Sequence, residues 1–266
     1  MSDGELLTID EESVAGVDCL RIDGEKRSDL VDSVPVEEPI SVIINGEQSL
    51  DVAISPRDLE DFIVGHLVCE GRVAGPGEIT WLEVGDGWIE VEFEESGEAP
   101  RSREMIFSGC FGTTTDRRIP LEPIPTGFVV SPGQVTAAMK IAMDSETHRD
   151  TGGVHSCAVV RPAGSDGVEL ICLREDIGRH NALDKAVGGA LRAGKDTSGC
   201  LLATTGRASS EMVAKCYGAR IPIICSRGAT TTLAIELARM AGITLVGFVR
   251  GSRMNVYTSP ARIAQH

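Results

Sequence analysis

The chain of 266 residues is long enough for a large hydrophobic core in one domain or two. Hydrophobic residues make up 42% of it, which excludes disorder throughout, and no apolar run approaches the ~18 residues of a membrane-spanning helix. The formal net charge of −15 is unevenly divided, because residues 1–105 carry −20 and residues 106–266 carry +5. A basic half inside an acidic protein favours an anionic ligand there, with chance asymmetry as the alternative.

The amino-terminal region is acidic and turn-rich. We expect the start of the segment 1–35 to fray, because its patterning is poor. Residues 1–5 lack the basic and apolar regions of a signal peptide, which predicts a cytoplasmic protein. Neither a membrane nor a nucleic acid is expected as a partner.

A small α+β domain is predicted next. Ser55, Pro56 and Asp58 predict the start of a helix that ends at about Glu70, because serine caps helices and proline fits a first turn. Apolar runs joined by turn residues predict two hairpins: 41–44 with 50–54, and 81–84 with 88–91.

Two later segments are predicted to be irregular. Residues 92–103 are acidic and then basic, with Gly and Pro, and indicate a loop. The Pro-rich segment 119–127 indicates a linker between domains. We therefore predict two domains: 1–125 and 126–266.

Strands and helices alternate in the second domain, after a capped helix from Ser131 to about Asp144. The expected strands are 155–161, 168–173, 199–204, 221–225 and 243–248. The expected helices are 180–191, 209–218 and 230–241. This alternation predicts an α/β fold in which helices cover both faces of a sheet.

Eight cysteines occur, and no two have the C-x-x-C spacing of a structural zinc site. Cys110 differs from the rest because glycines and small polar residues surround it, which predicts an accessible loop thiol. Nearby Arg117 and Arg118 would raise its thiolate fraction, although an incidental loop cysteine is the alternative. Six others lie in apolar runs and are expected to be buried: Cys69, Cys157, Cys172, Cys200, Cys216 and Cys225.

The segment 174–185, REDIGRHNALDK, is the most informative part of the chain. It follows a strand-like run and precedes an apolar helical run, so it lies where a strand ends and a helix begins. In α/β folds ligands bind at such junctions, because backbone N–H groups and side chains converge there. A solvated helix start is the alternative, but the density of charged and hydrogen-bonding side chains favours a site.

Arginine recurs with glycine and small hydroxyl residues after successive strands, at Arg179, Arg207, Arg227, Arg250 and Arg253. We expect these side chains to line one edge of the sheet, where guanidinium groups suit phosphates. His155 begins a strand after two glycines and is a candidate acid, base or phosphate donor, with a structural role equally open. The absence of Walker and G-x-G-x-x-G patterns disfavours ordinary ATP or NAD sites.

Several of these segments together resemble the formate dehydrogenase accessory sulfurtransferase family (FdhD type). The resemblance runs from about residue 35 to the end, and EDIGRHNALDK at 175–185 is its most specific part. The other matching pieces are EP at 38–39, ING at 44–46, SPRDL at 55–59, EG at 70–71, TGGVH at 151–155, GRAS at 206–209, AGITLVGF at 241–248 and RMNVYT at 253–258.

The resemblance implies a cytidine-deaminase-like fold in the second domain, without deaminase chemistry, because the H-x-E and P-C-x-x-C zinc signature is absent. It implies sulfur transfer from a cysteine desulfurase, through a persulfide on Cys110, to the molybdenum bis(molybdopterin guanine dinucleotide) cofactor for formate dehydrogenase. It also implies a possible homodimer, and no structural metal is expected. Cys110 would be catalytic, and the residues expected to bind the cofactor, including its guanine nucleotide, are His155, Glu175, Arg179, His180, Arg207, Ser209, Phe248, Val249, Arg250, Gly251, Ser252 and Arg253.

One departure from the family pattern concerns Cys110. Many relatives carry two cysteines spaced C-x-x-C in this loop, whereas here the sequence is SGCFGT at 108–113. A cofactor chaperone that moves no sulfur is therefore the main alternative. A hydrolase or deaminase-like enzyme acting through Glu175, His155 and His180 is a third, which the missing metal motif disfavours.

Overall fold

A computed structural model describes residues 13–94, 102–106, 116–120, 122–125, 127 and 129–264. These residues form a mixed α/β structure with a four-stranded sheet, a six-stranded sheet and two two-stranded hairpins. None of the helices in this part of the chain has the length and apolar character needed to cross a membrane.

The first described element is a hairpin that the sequence did not predict. Strands β1 (Val14–Asp23) and β2 (Lys26–Pro35) pair antiparallel along their whole lengths, and Gly24 takes a φ of 62° in the turn. The segment shows little alternation of apolar and polar residues, because both faces of the hairpin are largely exposed and neither has to be apolar. The predicted fraying concerns the start of the chain, and the first 12 residues lie outside the described residues.

The four-stranded sheet contains both predicted hairpins. Its elements in chain order are β3 (Glu38–Ile44), β4 (Glu47–Ile54), helix α1 (Leu59–Cys69), β5 (Ile79–Gly85) and β6 (Trp88–Phe93). The strand order is β4-β3-β6-β5, and β3 and β6 run parallel. Asn45 and Gly46 both take positive φ, as a tight hairpin turn requires. Helix α1 packs its apolar side against this sheet.

Helix α1 begins three residues later than predicted. Asp58 is its N-cap residue, in the left-handed conformation and without a side-chain capping bond. Ser55 is not a cap, because its hydroxyl accepts a hydrogen bond from the backbone N–H of Ile177 at 3.2 Å. Its carbonyl oxygen accepts one from Lys185 Nζ at 2.8 Å. The serine therefore joins the start of α1 to the segment 174–185.

Strands also replace part of the predicted loop and linker. Strands β7 (Ser102–Ile106) and β8 (Asp116–Pro120) pair antiparallel, so β7 begins inside the segment 92–103 and β8 ends inside 119–127. Helix α2 (Pro132–Met143) starts as predicted at a capping box of Ser131 and Gln134, and the short helix α3 (Glu146–Thr151) follows. The domain boundary after residue 125 stays a prediction.

The rest of the chain forms the six-stranded sheet and its helices. The elements are β9 (His155–Ala163), β10 (Gly167–Asp176), α4 (Arg179–Arg192), β11 (Leu201–Thr204), α5 (Ser210–Gly218), β12 (Ile223–Ser226), α6 (Thr232–Ala241), β13 (Thr244–Arg250) and β14 (Arg253–Val256). The strand order is β10-β9-β11-β12-β13-β14. Strands β11, β12 and β13 are parallel, and β9 and β14 run against their neighbours. Strand β14 was not predicted.

Helices cover both faces of this sheet, as the sequence predicted. Alternate residues of the central strands face two separate apolar clusters. On one face Val159, Leu202 and Ile224 pack with residues of α4, α5 and α6. On the other face Val160 and Leu201 pack with residues of α2.

Helix α1 crosses α4 with the two backbones in contact. A Cβ atom added to Gly65 would lie 1.8 Å from the carbonyl oxygen of Asp184. One added to Gly188 would lie 1.9 Å from the carbonyl oxygen of Asp61. Only glycine fits at such distances, so these two positions fix how closely the two helices approach.

Candidate functional site

The predicted convergence of polar segments at one edge of the six-stranded sheet agrees with the observed topology. Strands β10, β11, β12 and β13 all end at this edge, and the antiparallel strand β9 begins there. We call this edge the carboxyl edge. It consists of His155 and the segments 177–180, 205–209, 227–231 and 249–253.

Hydrogen bonds between successive loops hold the carboxyl edge in place. Ser226 Oγ donates to the carbonyl oxygen of Gly206 at 2.7 Å and accepts from the N–H of Gly228 at 3.0 Å. The carbonyl oxygen of Gly228 accepts in turn from the N–H of Phe248 at 2.9 Å. The loops after β11, β12 and β13 are therefore joined in series, which gives side chains on them defined positions.

Arg179 and His155 meet over Gly206. A Cβ atom added to Gly206 would lie 2.9 Å from Arg179 Cβ and 3.5 Å from His155 Nδ1. Within the described residues, the buried Nε of Arg179 has no hydrogen-bond partner. Burial, and then the charge of Arg179, lower the pKa of His155, so this imidazole is neutral at neutral pH. The arrangement leaves a cationic donor available to an anion.

His180 lies beside the first turn of α5. Its Nε2 is 2.9 Å from Glu211 Oε2 and 3.3 Å from Ser209 Oγ. Burial lowers the pKa of His180, although the hydrogen bond to Glu211 opposes that shift. A carboxylate only accepts hydrogen bonds, so the neutral ring carries its proton on Nε2. Sequence reasoning missed Glu211, whose only signal was its place one residue inside a helix that follows GRASS.

Four further arginines of the carboxyl edge are exposed: Arg207, Arg227, Arg250 and Arg253. No carboxylate in the described part of the chain forms an ion pair with any of them. Arg250 and Arg253 face each other across the β13–β14 turn, where Gly251 takes a φ of 59° and Ser252 is exposed. The edge therefore presents positive charge to the solvent, as an anion site requires.

The structure separates some of the other predicted residues. Glu175 pairs with Ser156 and shares a sheet face with Leu173, beneath α2, whereas His155 lies on the opposite face. Val249 is 1% exposed and packs in the core, so it offers a ligand only its backbone. Phe248 is partly buried and has a φ of 52°.

A groove of about 490 Å³ adjoins the carboxyl edge. It lies between α2 and the ends of β12 and β13, and Met139, Lys140, Met143, Asp144 and Arg227 are among its lining residues. Two of these side chains are cationic and two are apolar. The groove thus extends the edge into a space lined by apolar side chains, two cations and one carboxylate.

Three polar residues of the segment 174–185, Asp176, Asn181 and Lys185, have an internal role. Asp176 is fully buried, and its carboxylate accepts hydrogen bonds from Lys185 Nζ at 2.7 Å and from the N–H groups of Ser55 and Gly178. Asn181 Nδ2 donates to the same carboxylate at 3.1 Å. These bonds fix the turn that carries Arg179, so this part of the polar cluster positions the site and does not face a ligand.

The cysteine predictions are confirmed for the six expected buried thiols, while Cys19 is exposed. Burial raises the pKa of Cys157 and of Cys225 to about 12, which makes both poor nucleophiles. Cys110 lies outside the described residues. Within the described ranges, no group of three or more His, Cys, Asp or Glu side chains is placed to hold a metal ion.

Comparison with known proteins identifies the family. The FdhD/NarQ family model matches residues 35–264. The chain is 37% identical over 259 residues to the sulfur carrier protein FdhD of Anaeromyxobacter dehalogenans, which covers 87% of this chain and 88% of that relative. It is 33% identical to the sulfur carrier protein FdhD of Methanothermobacter thermautotrophicus over 93% of this chain and 97% of that one.

A solved structure has the same fold. The crystal structure of a protein assigned as a formate dehydrogenase accessory protein, from Desulfotalea psychrophila, superposes with a TM-score of 0.75 at 28% identity. The superposition covers 95% of this chain and 100% of that one. The family match spans nearly all of the described structure, including every segment of the carboxyl edge. The chain is therefore a member of the FdhD/NarQ family.

Proposed function

We propose that this chain is a sulfur carrier that serves the maturation of formate dehydrogenase. In this proposal the carboxyl edge binds the molybdenum bis(molybdopterin guanine dinucleotide) cofactor as a substrate. Cys110 receives sulfur from a cysteine desulfurase and passes it to that bound cofactor. The names of the relatives support the carrier role, and the arginines of the edge support an anionic, phosphate-bearing substrate.

The observation that carries the binding half of the proposal is the unpaired positive charge of the carboxyl edge. The buried Nε of Arg179 lacks a partner among the described residues, and the Arg179 side chain packs over Gly206 beside His155. The pyrophosphates of a dinucleotide would supply the missing acceptors. The adjoining groove, whose lining includes the apolar side chains of Met139 and Met143, would take a guanine base.

The transfer half of the proposal rests on thiolate chemistry at Cys110. Its thiolate attacks the outer sulfur of a desulfurase persulfide, a new S–S bond forms on Cys110, and the desulfurase leaves as a thiolate. In the second step the S–S bond of the Cys110 persulfide breaks: an electron pair of the bound cofactor takes the terminal sulfur, and Cys110 leaves as a thiolate. A cytidine-deaminase-like description of the second domain, a cytoplasmic location and a homodimer belong to the same proposal, and the mixed sheet with helices on both faces supports the first of these.

Replacement of Cys110 by serine tests the carrier role. A hydroxyl cannot form a persulfide, so Cys110→Ser should keep the fold and nucleotide binding yet leave a co-expressed formate dehydrogenase inactive. Cys19→Ser, which changes an exposed cysteine of the β1–β2 hairpin, is the matched control and should give full activity. Full activity with Cys110→Ser would instead establish the alternative, a cofactor chaperone that transfers no sulfur.

The labelling of thiols in the native protein gives an independent test. We expect an alkylating reagent to label Cys110 and the exposed Cys19 well before the six buried cysteines, because only accessible thiolates react. After incubation with a cysteine desulfurase and cysteine, mass spectrometry should find one added sulfur atom on the peptide that contains Cys110. Slower labelling of Cys110 than of Cys157 or Cys172 would argue against a carrier role.

A further inference from the structure

Two polar contacts link α4 to α5, one above the other. At the carboxyl edge His180 meets Glu211 at 2.9 Å. One helical turn deeper, Asp184 Oδ2 accepts from Lys215 Nζ at 2.6 Å. Each helix contributes residues i and i+4, which lie on the same side of a helix and so repeat the contact one turn further in. The inner pair is deeply buried, with side chains 1% and 4% exposed.

Helix α1 and its C-cap residue supply two more members, His66 and Glu70, which are also four residues apart. His66 Nδ1 is 3.3 Å from Asp184 Oδ2, and Glu70 Oε1 is 2.9 Å from Lys215 Nζ. We call the six residues His180, Glu211, Asp184, Lys215, His66 and Glu70 the polar ladder. It runs from the carboxyl edge, between α4 and α5, to a helix of the amino-terminal half of the chain.

Burial of the polar ladder removes charged groups from water, which costs free energy on folding that apolar side chains at the same positions would not cost. Burial alone raises the pKa of Asp184, yet Lys215 and His66 outweigh that effect and hold the pKa below its usual value, so the carboxylate is ionised. Replacing a buried ion pair of this kind by apolar residues of similar size is often neutral for stability or stabilising. Stability therefore does not explain why charges occupy this position.

Hydrogen bonds between charged side chains are directional, so they fix the position of α4 relative to α5, whereas apolar contacts alone would allow the two helices to shift. Asp184 and Lys215 lie one turn below His180 and Glu211, so their bond sets the rotation and depth of α4 relative to α5. Gly65 and Gly188 bring α1 close enough for His66 and Glu70 to complete the contact. The first turns of α4 and α5 carry the residues that we expect to meet the anion.

We propose that Asp184 and Lys215, held by His66 and Glu70, are positioning residues that set the His180–Glu211 pair at the carboxyl edge for its ligand. The positioning itself follows from the described contacts, whereas its use in nucleotide binding rests on the proposed function above. The amino-terminal half of the chain would thereby take part in shaping the site, although α1 contributes no side chain to the carboxyl edge.

The variant that tests this proposal replaces the inner pair by apolar residues, Asp184→Leu with Lys215→Met. The first readout is the imidazole nitrogen NMR spectrum of His180 in the nucleotide-free protein, assigned with His180→Gln. In the wild type the bond to Glu211 should hold the ring in the Nε2–H form. In the apolar variant we expect a mixture of the two neutral tautomers. The tautomer depends on the hydrogen bond to Glu211, so this measurement detects a change in positioning even when the protein stays folded.

The second readout is the affinity for GDP, measured by calorimetry. We expect a loss of about fivefold in the apolar variant, the size of coupling usually found between residues of one network. The control is Arg192→Leu, which breaks ion pairs to Asp61 and Glu60 in the same α1–α4 interface but at the far end of α4. It should change neither the tautomer nor the affinity.

The outcomes separate this inference from the proposed function. A folded apolar variant with an unchanged tautomer overturns the positioning role, and so does an equal change with Arg192→Leu. A changed tautomer in a protein whose wild type binds no GDP supports positioning and counts against nucleotide binding. If the apolar variant does not fold, Asp184→Leu alone takes its place, because it removes the acceptor for Lys215 on α4 and leaves Lys215 paired with Glu70. A single fixed tautomer in that variant would overturn the inference.

Discussion

The carboxyl edge and the polar ladder both consist of charged and polar side chains, but these side chains differ in exposure and in pairing. At the edge, arginines such as Arg207 and Arg253 are exposed and lack carboxylate partners in the described structure. In the ladder, every carboxylate contacts Lys215 or a histidine within 3.3 Å. The contrast indicates that the pairing of a charged side chain, more than its presence, distinguishes the proposed binding surface from the buried network.

The two regions meet in the segment 174–185. Arg179 and His180 belong to the carboxyl edge, whereas Asp176 and Lys185 form a buried pair that fixes the turn before α4. A second internal network lies further along, where Arg174 and Arg192 both bond to Asp61 of α1. Only a short part of this polar segment therefore lies at the proposed binding surface, and most of its charged side chains form internal bonds.

Removal of one charge from the polar ladder should have a large effect on stability. Lys215→Met leaves the buried carboxylate of Asp184 with only His66, and we expect a loss of about 3–5 kcal/mol in the free energy of unfolding. Urea denaturation measures this loss. Lys195→Met, at an exposed site in the loop after α4, should change stability by less than about 0.5 kcal/mol. Similar values for the two variants would show that the ladder charges are not needed to balance each other.

A methyl group between α1 and α4 should have the next largest effect. Gly65→Ala places a Cβ atom against the backbone of Asp184 and forces the helices apart, which we expect to cost about 1–3 kcal/mol. Gly77→Ala is the control, since nothing lies within 4 Å of the added atom. Thermal unfolding of both variants tests the close crossing, and an unchanged midpoint for Gly65→Ala would contradict it.

The two histidines of the carboxyl edge should make the free energy of unfolding depend on pH, with a smaller effect than the substitutions above. Folding lowers the pKa of His155 and of His180 from 6.5, chiefly by burial, so the unfolded chain binds more protons below that pH. Their contribution to stability is therefore complete above about pH 6.5 and declines as the pH falls through that value toward the lower folded pKa values. The unfolding free energy of the wild type should decrease from about pH 7.5 to about pH 5.5.

The matching variant carries His155→Gln and His180→Gln together. It should show a smaller decrease over the same interval, because neither position then takes up a proton. Between about pH 7.5 and pH 8.5 the two proteins should respond alike, since both histidines are neutral there in the folded and unfolded states. An equal decrease in acid for both proteins would show that these histidines do not titrate as described.

Local patterns predicted the second half of the fold well. The strands and helices after residue 155 follow the alternation of apolar runs and polar junctions, and the arginine-bearing segments meet at one edge because parallel strands share a direction. The β1–β2 hairpin escaped prediction because an exposed hairpin needs no apolar face. Strand β14 escaped because only four residues form it, directly after a turn.

The site was predicted in part, since sequence shows which residues are polar but not which polar residues meet. His155, Arg179, His180 and Arg207 lie together as expected, whereas Glu175 falls on the other face of the sheet. Glu211 was missed because its partner lies on another helix. The partners of Lys215 are far away in the sequence, at Asp184 and Glu70, and no local pattern reveals such contacts.

Calorimetric titration with GDP tests the assignment of the carboxyl edge as an anion-binding surface most directly. We expect the wild type to bind weakly, with an affinity that falls as salt is added, since phosphate contacts are screened. Arg207→Ala with Arg253→Ala should weaken binding by about tenfold or more. The control, Arg21→Ala with Arg27→Ala, removes equally exposed arginines from the β1–β2 hairpin and should bind as the wild type does. Absence of heat with the wild type, or equal binding by the Arg207 and Arg253 variant, would contradict the assignment.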